Sequence, residues 1–166
     1  MTTETNSWFP RFENRYWIYQ SFLVLPTLQE YDAQPGAATT AKKWARGRLS
    51  GGPALQGAGD GYTLEGTLSF GAGVELAVTA QGVLGSGNSP ATFEATGTTL
   101  EGPLKGAIYQ LVGWVFPDEA VQNGPRNVMS VRGAVRAVRG PDTKPELELG
   151  GMPVGTVGTF FIEFES

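Results

Sequence analysis

The feature that most constrains this chain is the alternation of apolar and polar residues in short segments bounded by glycine-rich turns. This period of two residues is typical of a β-strand with one buried face. The clearest case is Val74–Leu84. Its apolar positions are Val74, Leu76, Val78 and Leu84, and its polar positions are Glu75, Thr79 and Gln81. No segment shows a convincing helical period, so the chain is predicted to be all-β.

Seven or eight strands are expected, each ended by turn residues such as Gly, Pro, Asn or Asp. They cover Arg15–Leu25, Ala41–Leu49, Tyr62–Phe70, Val74–Leu84, Ala91–Thr99, Gly106–Phe116, Asn127–Arg139 and Val154–Phe164. The first segment is apolar on both faces, which a helix could also produce, but its aromatic and β-branched residues favour a strand. Ser50–Gly61 reads as a glycine-rich loop.

These strands are expected to form a closed barrel, with a two-sheet sandwich as the alternative. The barrel is favoured because closure leaves no strand edge exposed. We therefore predict one domain over residues 1–166, an antiparallel up-and-down β-barrel of about eight strands. Residues 1–14 are expected to be a flexible segment or one that caps the barrel. A barrel of this size has room inside for side chains or one small ligand.

Gly106–Phe116 is apolar on both faces, unlike the alternating strands. Ile108, Val112, Trp114 and Phe116 share one face, and Ala107, Tyr109, Leu111 and Val115 share the other. One face is expected to line the barrel interior. The other must then be covered by a second subunit, a terminal segment or a ligand, and so we predict a homodimer or a homotrimer.

Composition excludes several kinds of function. The chain has no Cys and no His, which removes disulfides, thiol nucleophiles, Cys/His zinc sites and imidazole-based catalysis. A net charge of -4 argues against nucleic acid as a partner. Acidic residues such as Asp32 and Asp118 are isolated in turns, so neither a metal nor another cofactor is expected. The start of the sequence has no signal-peptide pattern and the apolar runs are short, so a cytoplasmic protein without membrane contact is expected.

The central hairpin, TFEATGTTLEGPLKGAIYQLVGWVFP over 92–117, resembles the small calycin-type barrels. A strand with Phe-Glu-Ala, a glycine turn and then Gly-x-Ile-Tyr-x-Leu is similar to the allene oxide cyclase-like family, which includes barrel cyclases of polyketide biosynthesis. The likeness in strand rhythm covers Tyr62 to Phe164. It implies an apolar cavity that folds a flexible substrate, such as a polyene or a polyketide-like molecule, into a reactive shape. It also implies a pericyclase-like cyclase or isomerase that works without a cofactor.

The resemblance carries over no catalytic residue by motif, so candidate site residues follow from strand parity and residue type. The catalytic candidates are Tyr109, Arg132 and Glu163, which would orient a carbonyl or serve as a buried acid. Glu163 lies on the more polar face of its strand, where a solvated carboxylate is the simpler interpretation. The ligand-binding candidates are Trp17, Tyr19, Phe70, Gln110, Trp114, Met129 and Phe161. Tyr109 and Gln110 lie on opposite faces, so both cannot face one cavity.

Two other functions fit the same pattern. A carrier would bind a hydrophobic small molecule in the same cavity and release it unchanged. A structural oligomer would use its second apolar face only as an interface and would have a fully packed interior. A rearranged product distinguishes the enzyme from the carrier, and a filled interior would exclude both.

Overall fold

Eight antiparallel strands form a closed barrel in which each strand pairs with its neighbours in sequence. The computed structural model describes residues 12–25, 32–36, 40–71, 73–85, 89–117, 129–143 and 154–164. The strands are β1 Tyr16–Leu25, β2 Thr40–Gln56, β3 Gly61–Ser69, β4 Glu75–Val83, β5 Thr92–Thr99, β6 Ile108–Pro117, β7 Met129–Arg139 and β8 Val157–Phe164. The predicted all-β, up-and-down barrel is confirmed.

The first and last strands close the barrel. β1 and β8 pair antiparallel from Trp17↔Phe164 to Leu23↔Gly158. This pairing, called the seam below, satisfies the backbone groups that would otherwise form two open sheet edges.

The alternation read from the sequence sets the inner and outer faces. Along β5, Phe93, Ala95 and Thr99 are buried while Glu94 and Thr96 are exposed. The same rule holds along β3 and β4, where buried positions recur at every second residue over most of each strand. The buried side chains of the barrel form one core cluster inside it, with a second small contact between Ala107 and Ala137.

β2 is longer than the sequence predicts and continues to Gln56 through the glycine-rich stretch that was expected to be a loop. The segment before β1 supplies the reason. Asn14 N donates to Gly51 O at 3.1 Å, Gly51 N donates to Arg15 O at 2.9 Å, and Ala54 N donates to Glu13 Oε1 at 2.6 Å. These long-range hydrogen bonds hold the strand across a register shift between Gly51 and Ala54.

One half of the barrel is filled with large side chains, and we call it the closed half. It lies toward the starts of β1, β3, β5 and β7. Phe12 is buried there and stacks on Trp17 with ring centroids 6.2 Å apart. Tyr62 is buried as well, and its hydroxyl donates to Thr92 O. Phe12 thus caps this end of the barrel; residues 1–11 lie outside the described residues.

The outer face of β6 carries large apolar side chains. Val112, Trp114 and Phe116 are 43%, 49% and 39% exposed in the described structure. Tyr109, Leu111 and Val115 take the opposite face and point into the barrel. The two apolar faces of this strand are therefore an interior face and an outer surface.

Candidate functional site

A cavity of about 420 Å³ occupies the other half of the barrel, toward the ends of β1, β3, β5 and β7. We call it the cavity half. The cavity is lined by Tyr19, Ser21, Trp44, Ala45, Arg46, Leu49, Leu68, Phe70, Val74, Leu76, Val78, Phe93, Gly97, Thr99, Leu104, Tyr109, Leu111, Val135 and Ile162. Its volume falls in the range of small-molecule sites, which are mostly apolar with a few polar groups.

The cavity exists because several inward positions in this half are small. The closed half has large side chains such as Trp17 at its inward positions. The corresponding positions in the cavity half have the small residues Ser21, Ala45, Gly97 and Thr99. The inner end of the cavity is closed by aromatic rings. Phe93 lines it and lies 6.4 Å from Phe160, centroid to centroid.

Two inward glycines make room for those rings. Gly113 pairs with Phe93 and with Gly133, and Gly133 pairs with Phe160. A Cβ on Gly133 would lie 1.9 Å from Val112 O, so the backbones of β6 and β7 approach too closely here for any side chain. The aromatic layer between the two halves therefore depends on this glycine pair.

A β-bulge shapes the mouth of the cavity. The β1–β2 register shifts so that Ser21 pairs with Ala45 while Phe22 pairs with Lys43, and Trp44 is the extra residue. Ala45 N donates to Ser21 Oγ at 3.1 Å, and Gln20 Nε2 donates to Ala45 O at 3.1 Å. These bonds fix the bulge, and with it both Trp44 and Ala45 line the cavity.

Trp44 extends across the mouth. The rings of Trp44 and Tyr109 lie edge to face with their centroids 6.2 Å apart, and Trp44 packs against Ala107 and Ala137. A Cβ at Gly158 would come within 3.0 Å of the Trp44 ring, so the glycine leaves space for it. Leu104 packs against the same Ala107–Ala137 pair and completes the rim.

Two tyrosines supply the main hydrogen-bonding groups of the cavity. Burial raises the pKa of Tyr19 to about 12; a hydrogen bond with Ser21 opposes this shift and the nearby Tyr109 adds to it. Burial likewise raises the pKa of Tyr109 to about 12. Both hydroxyls are therefore protonated at neutral pH and can donate a hydrogen bond to an acceptor oxygen. Among the described lining residues only Arg46 carries a charge, and it lies at the exposed rim.

The structure brings together part of the predicted site. Tyr109, Tyr19 and Phe70 line the cavity, and the Tyr19 and Phe70 rings meet edge to face at 5.9 Å. Trp17 points inward but belongs to the closed half, against Phe12. Met129 begins β7, and its side chain lies outside the described residues.

The remaining candidates lie on the outer surface of the barrel. Arg132 Nη2 pairs with Glu163 Oε1 at 3.3 Å, and the Arg132 guanidinium lies 5.9 Å from the centre of the Phe161 ring. Gln110 and Trp114 are exposed on the outer face of β6. The cluster of Arg132, Glu163 and Phe161 is separated from the cavity by the barrel wall.

Most residues of the cavity were not among the candidates; they include Ser21, Trp44, Thr99 and Leu104. The parity of β5, with Phe93 and Ala95 inside, contained the signal for Thr99. No such signal existed for Trp44, because a bulge changes which face a residue takes without changing the local sequence pattern.

Two kinds of feature are absent from the described part of the chain. No group of three or more acidic side chains there could hold a metal ion. No helix within the described ranges is long and apolar enough to cross a membrane. Comparison with protein-family models, curated proteins and solved structures found no match to this chain.

Proposed function

We propose that this protein binds a hydrophobic small molecule in the barrel cavity and acts on it as a cofactor-independent cyclase or isomerase. The observation that carries the proposal is the apolar cavity of about 420 Å³ with two protonated tyrosines on its walls. The resemblance to allene oxide cyclase-like barrels supports the same reaction class. A polyene or polyketide-like molecule with a carbonyl or ether oxygen suits this lining.

Catalysis would rest first on confinement. A flexible chain held between the rings of Phe70, Phe93 and Trp44 has few accessible conformations. Holding the reacting carbons near their bonding distance removes much of the entropic barrier to an intramolecular reaction.

The tyrosine pair would provide the electrostatic part. Tyr19 and Tyr109 can donate hydrogen bonds to an oxygen on which negative charge develops, and the walls around them are mostly apolar. Because their pKa values are near 12, they serve as donors and not as bases at neutral pH. The described lining has no carboxylate that could serve as a base, so positioning and hydrogen bonding carry the reaction.

The test is turnover of a panel of polyene and polyketide-like ketones, followed by chromatography for a product of unchanged mass and altered retention. We expect wild type to form such an isomer and Tyr109→Phe to lower its rate by roughly 10²-fold, the usual effect of removing one oxyanion donor. Tyr16→Phe is the matched control, because Tyr16 lies on the outer face of β1 and is 50% exposed. An unchanged rate in Tyr109→Phe would contradict the proposed mechanism.

A carrier is the second candidate, favoured by the lack of charge inside the cavity, which suits binding without chemistry. The same assay should give a different result for a carrier. The ligand would co-elute with the protein unchanged, and Tyr109→Phe would weaken the affinity by about tenfold or less, the usual value of one hydrogen bond. If no member of the panel binds to wild type, both candidates fail.

A further inference from the structure

The hydroxyl of Thr99 has an unusual position in the cavity wall. Thr99 is the last residue of β5, is 2% exposed and lines the cavity. Its Oγ1 atom is buried and has no hydrogen-bond partner among the described residues. Its backbone is fully engaged: Thr99 N donates to Ala107 O, and Gly106 N donates to Thr99 O, each at 2.9 Å. The side-chain oxygen is therefore the one polar group of this residue left without a partner.

Such an arrangement is costly for folding. A buried hydroxyl that has lost its water and gained no partner destabilises the folded state. Valine has nearly the same shape, suits a strand equally well and would avoid this cost. Buried polar groups without partners are uncommon in proteins and call for an explanation. Since Thr99 lines an open cavity, a ligand group that reaches this part of the wall is the partner that the geometry offers.

The position of Thr99 relative to the two tyrosines defines a second polar position on the cavity wall. Tyr109 pairs directly with Gly97 across β5 and β6, and Thr99 is the next inward residue along β5. Thr99 and Tyr109 are thus diagonal neighbours on one wall, with Cα atoms about 7–8 Å apart in such pairs. The Tyr109 ring contacts Trp44, and its hydroxyl is close enough to influence the pKa of Tyr19.

We propose that Thr99 Oγ1 binds a second oxygen of the ligand, at a distance from the oxygen held by Tyr19 and Tyr109. The ligand class is then an apolar molecule with two neutral oxygen functions, such as hydroxyl, carbonyl or ether groups, separated by hydrocarbon. A neutral ligand fits because burial in this cavity disfavours charge, as both tyrosines show. This inference rests on the proposed function, since it requires that the cavity bind a small molecule.

Binding can be measured by displacement of N-phenyl-1-naphthylamine, a fluorescent apolar probe without oxygen. The competitors are α,ω-alkanediols of increasing length, with the alkanes and mono-alcohols of equal length as references. We expect wild type to prefer a diol of one particular length. Thr99→Val should weaken that diol by about tenfold, the usual value of one buried hydrogen bond, and leave the alkane unchanged. Thr99→Ser, which keeps the hydroxyl, should keep the preference.

Thr98→Val is the matched control, because Thr98 is the neighbouring β5 residue on the opposite face. It should bind every competitor as wild type does. Equal diol affinity in Thr99→Val and wild type would overturn this inference but leave the proposed function standing. If no competitor displaces the probe from wild type, the proposed function and this inference fail together.

A ligand-free measurement provides a second check. Thermal unfolding of Thr99→Val should give a Tm equal to or above that of wild type, because the substitution removes an unpartnered buried hydroxyl. A clearly lower Tm would mean that the free protein already satisfies this hydroxyl, and it would overturn the inference without any ligand being known.

Discussion

The two halves of the barrel use the same eight strands and the same alternation, yet one is solid and the other hollow. In the closed half, Trp17, Tyr62 and Leu64 fill the interior. In the cavity half, Ser21 and Thr99 occupy inward positions and leave a volume of about 420 Å³. The comparison shows that strand pattern makes the barrel, whereas the size of a few inward residues decides whether it can hold a ligand.

The ends of the two halves are also secured differently. The closed end is capped by Phe12 from outside the strands. At the mouth, Arg139 Nη1 donates to Gly106 O at 2.8 Å and to Asp142 Oδ1 at 2.7 Å. Gly106 has φ +90°, and a Cβ there would collide with the Asp142 carboxylate. These contacts of Arg139 and Asp142 hold the turn that carries Leu104, so the rim of the cavity is fixed by specific hydrogen bonds.

The largest expected effect compares leucines on one strand. Leu64 and Leu68 both point inward from β3 and are 1% and 5% exposed, but only Leu68 lines the cavity. Leu64→Ala creates a new void in a packed region and should cost about 4 kcal/mol of unfolding free energy. Leu68→Ala enlarges an existing space and should cost about 2 kcal/mol. Denaturant unfolding measures both, and equal losses would mean that the two halves are equally packed.

An alkaline titration gives the next largest effect. The ordinary tyrosine pKa is near 10, and burial raises the pKa of Tyr19 and Tyr109 to about 12 in the folded protein. Above pH 10 the unfolded chain loses protons that the folded protein keeps. This stabilising contribution is therefore complete below pH 10 and is lost as the pH rises toward 12.

Burial also raises the pKa of Tyr62 in the closed half, so both halves contribute to the alkaline decline and substitutions separate their contributions. Tyr19→Phe should flatten the decline in stability between pH 10 and 12, and at neutral pH it should cost about 1 kcal/mol because it removes the hydrogen bond with Ser21. Tyr62→Phe, in the closed half, removes the bond to Thr92 O and should cost about 1 kcal/mol at neutral pH. An unchanged alkaline decline in Tyr19→Phe would show that its hydroxyl is not buried in solution.

The smallest effect concerns the outer surface, which both halves share. Trp114 is 49% exposed between Thr92 and Arg132, so Trp114→Ala should cost under about 1 kcal/mol. Equilibrium sedimentation at several concentrations should accompany the melts. A loss of several kcal/mol together with a change in association state would show that a second subunit covers this face, as the sequence predicts.

Strand parity predicted much of the barrel but left one strand ambiguous. Alternation identifies the buried face where only one face is apolar, as in β4 and β5. In β6 both faces are apolar, and parity alone could not say whether Tyr109 or Trp114 points inside. The neighbouring strands decide this, since Tyr109 pairs with inward Gly97 and Ala137.

Long-range contacts account for what the sequence did not reveal. The strand through Gly51 and Gly52 depends on bonds from Glu13 and Asn14, a long way back in the chain. The position of Trp44 depends on a bulge held by Ser21. Local propensity does not contain these contacts, so the cavity mouth could not be predicted while the cavity-lining Tyr19 and Phe70 could.

The seam between β1 and β8 has a consequence for how this molecule folds. The other strand pairs are hairpins of neighbouring segments, but the seam joins the two ends of the described chain, Trp17 to Phe164. Its loop-closure entropy is the largest in the barrel, so we expect the hairpins to assemble quickly and the seam to form last and slowly. The cavity is complete only after that step. A bound ligand would therefore stabilise the paired seam and slow the separation of β1 from β8.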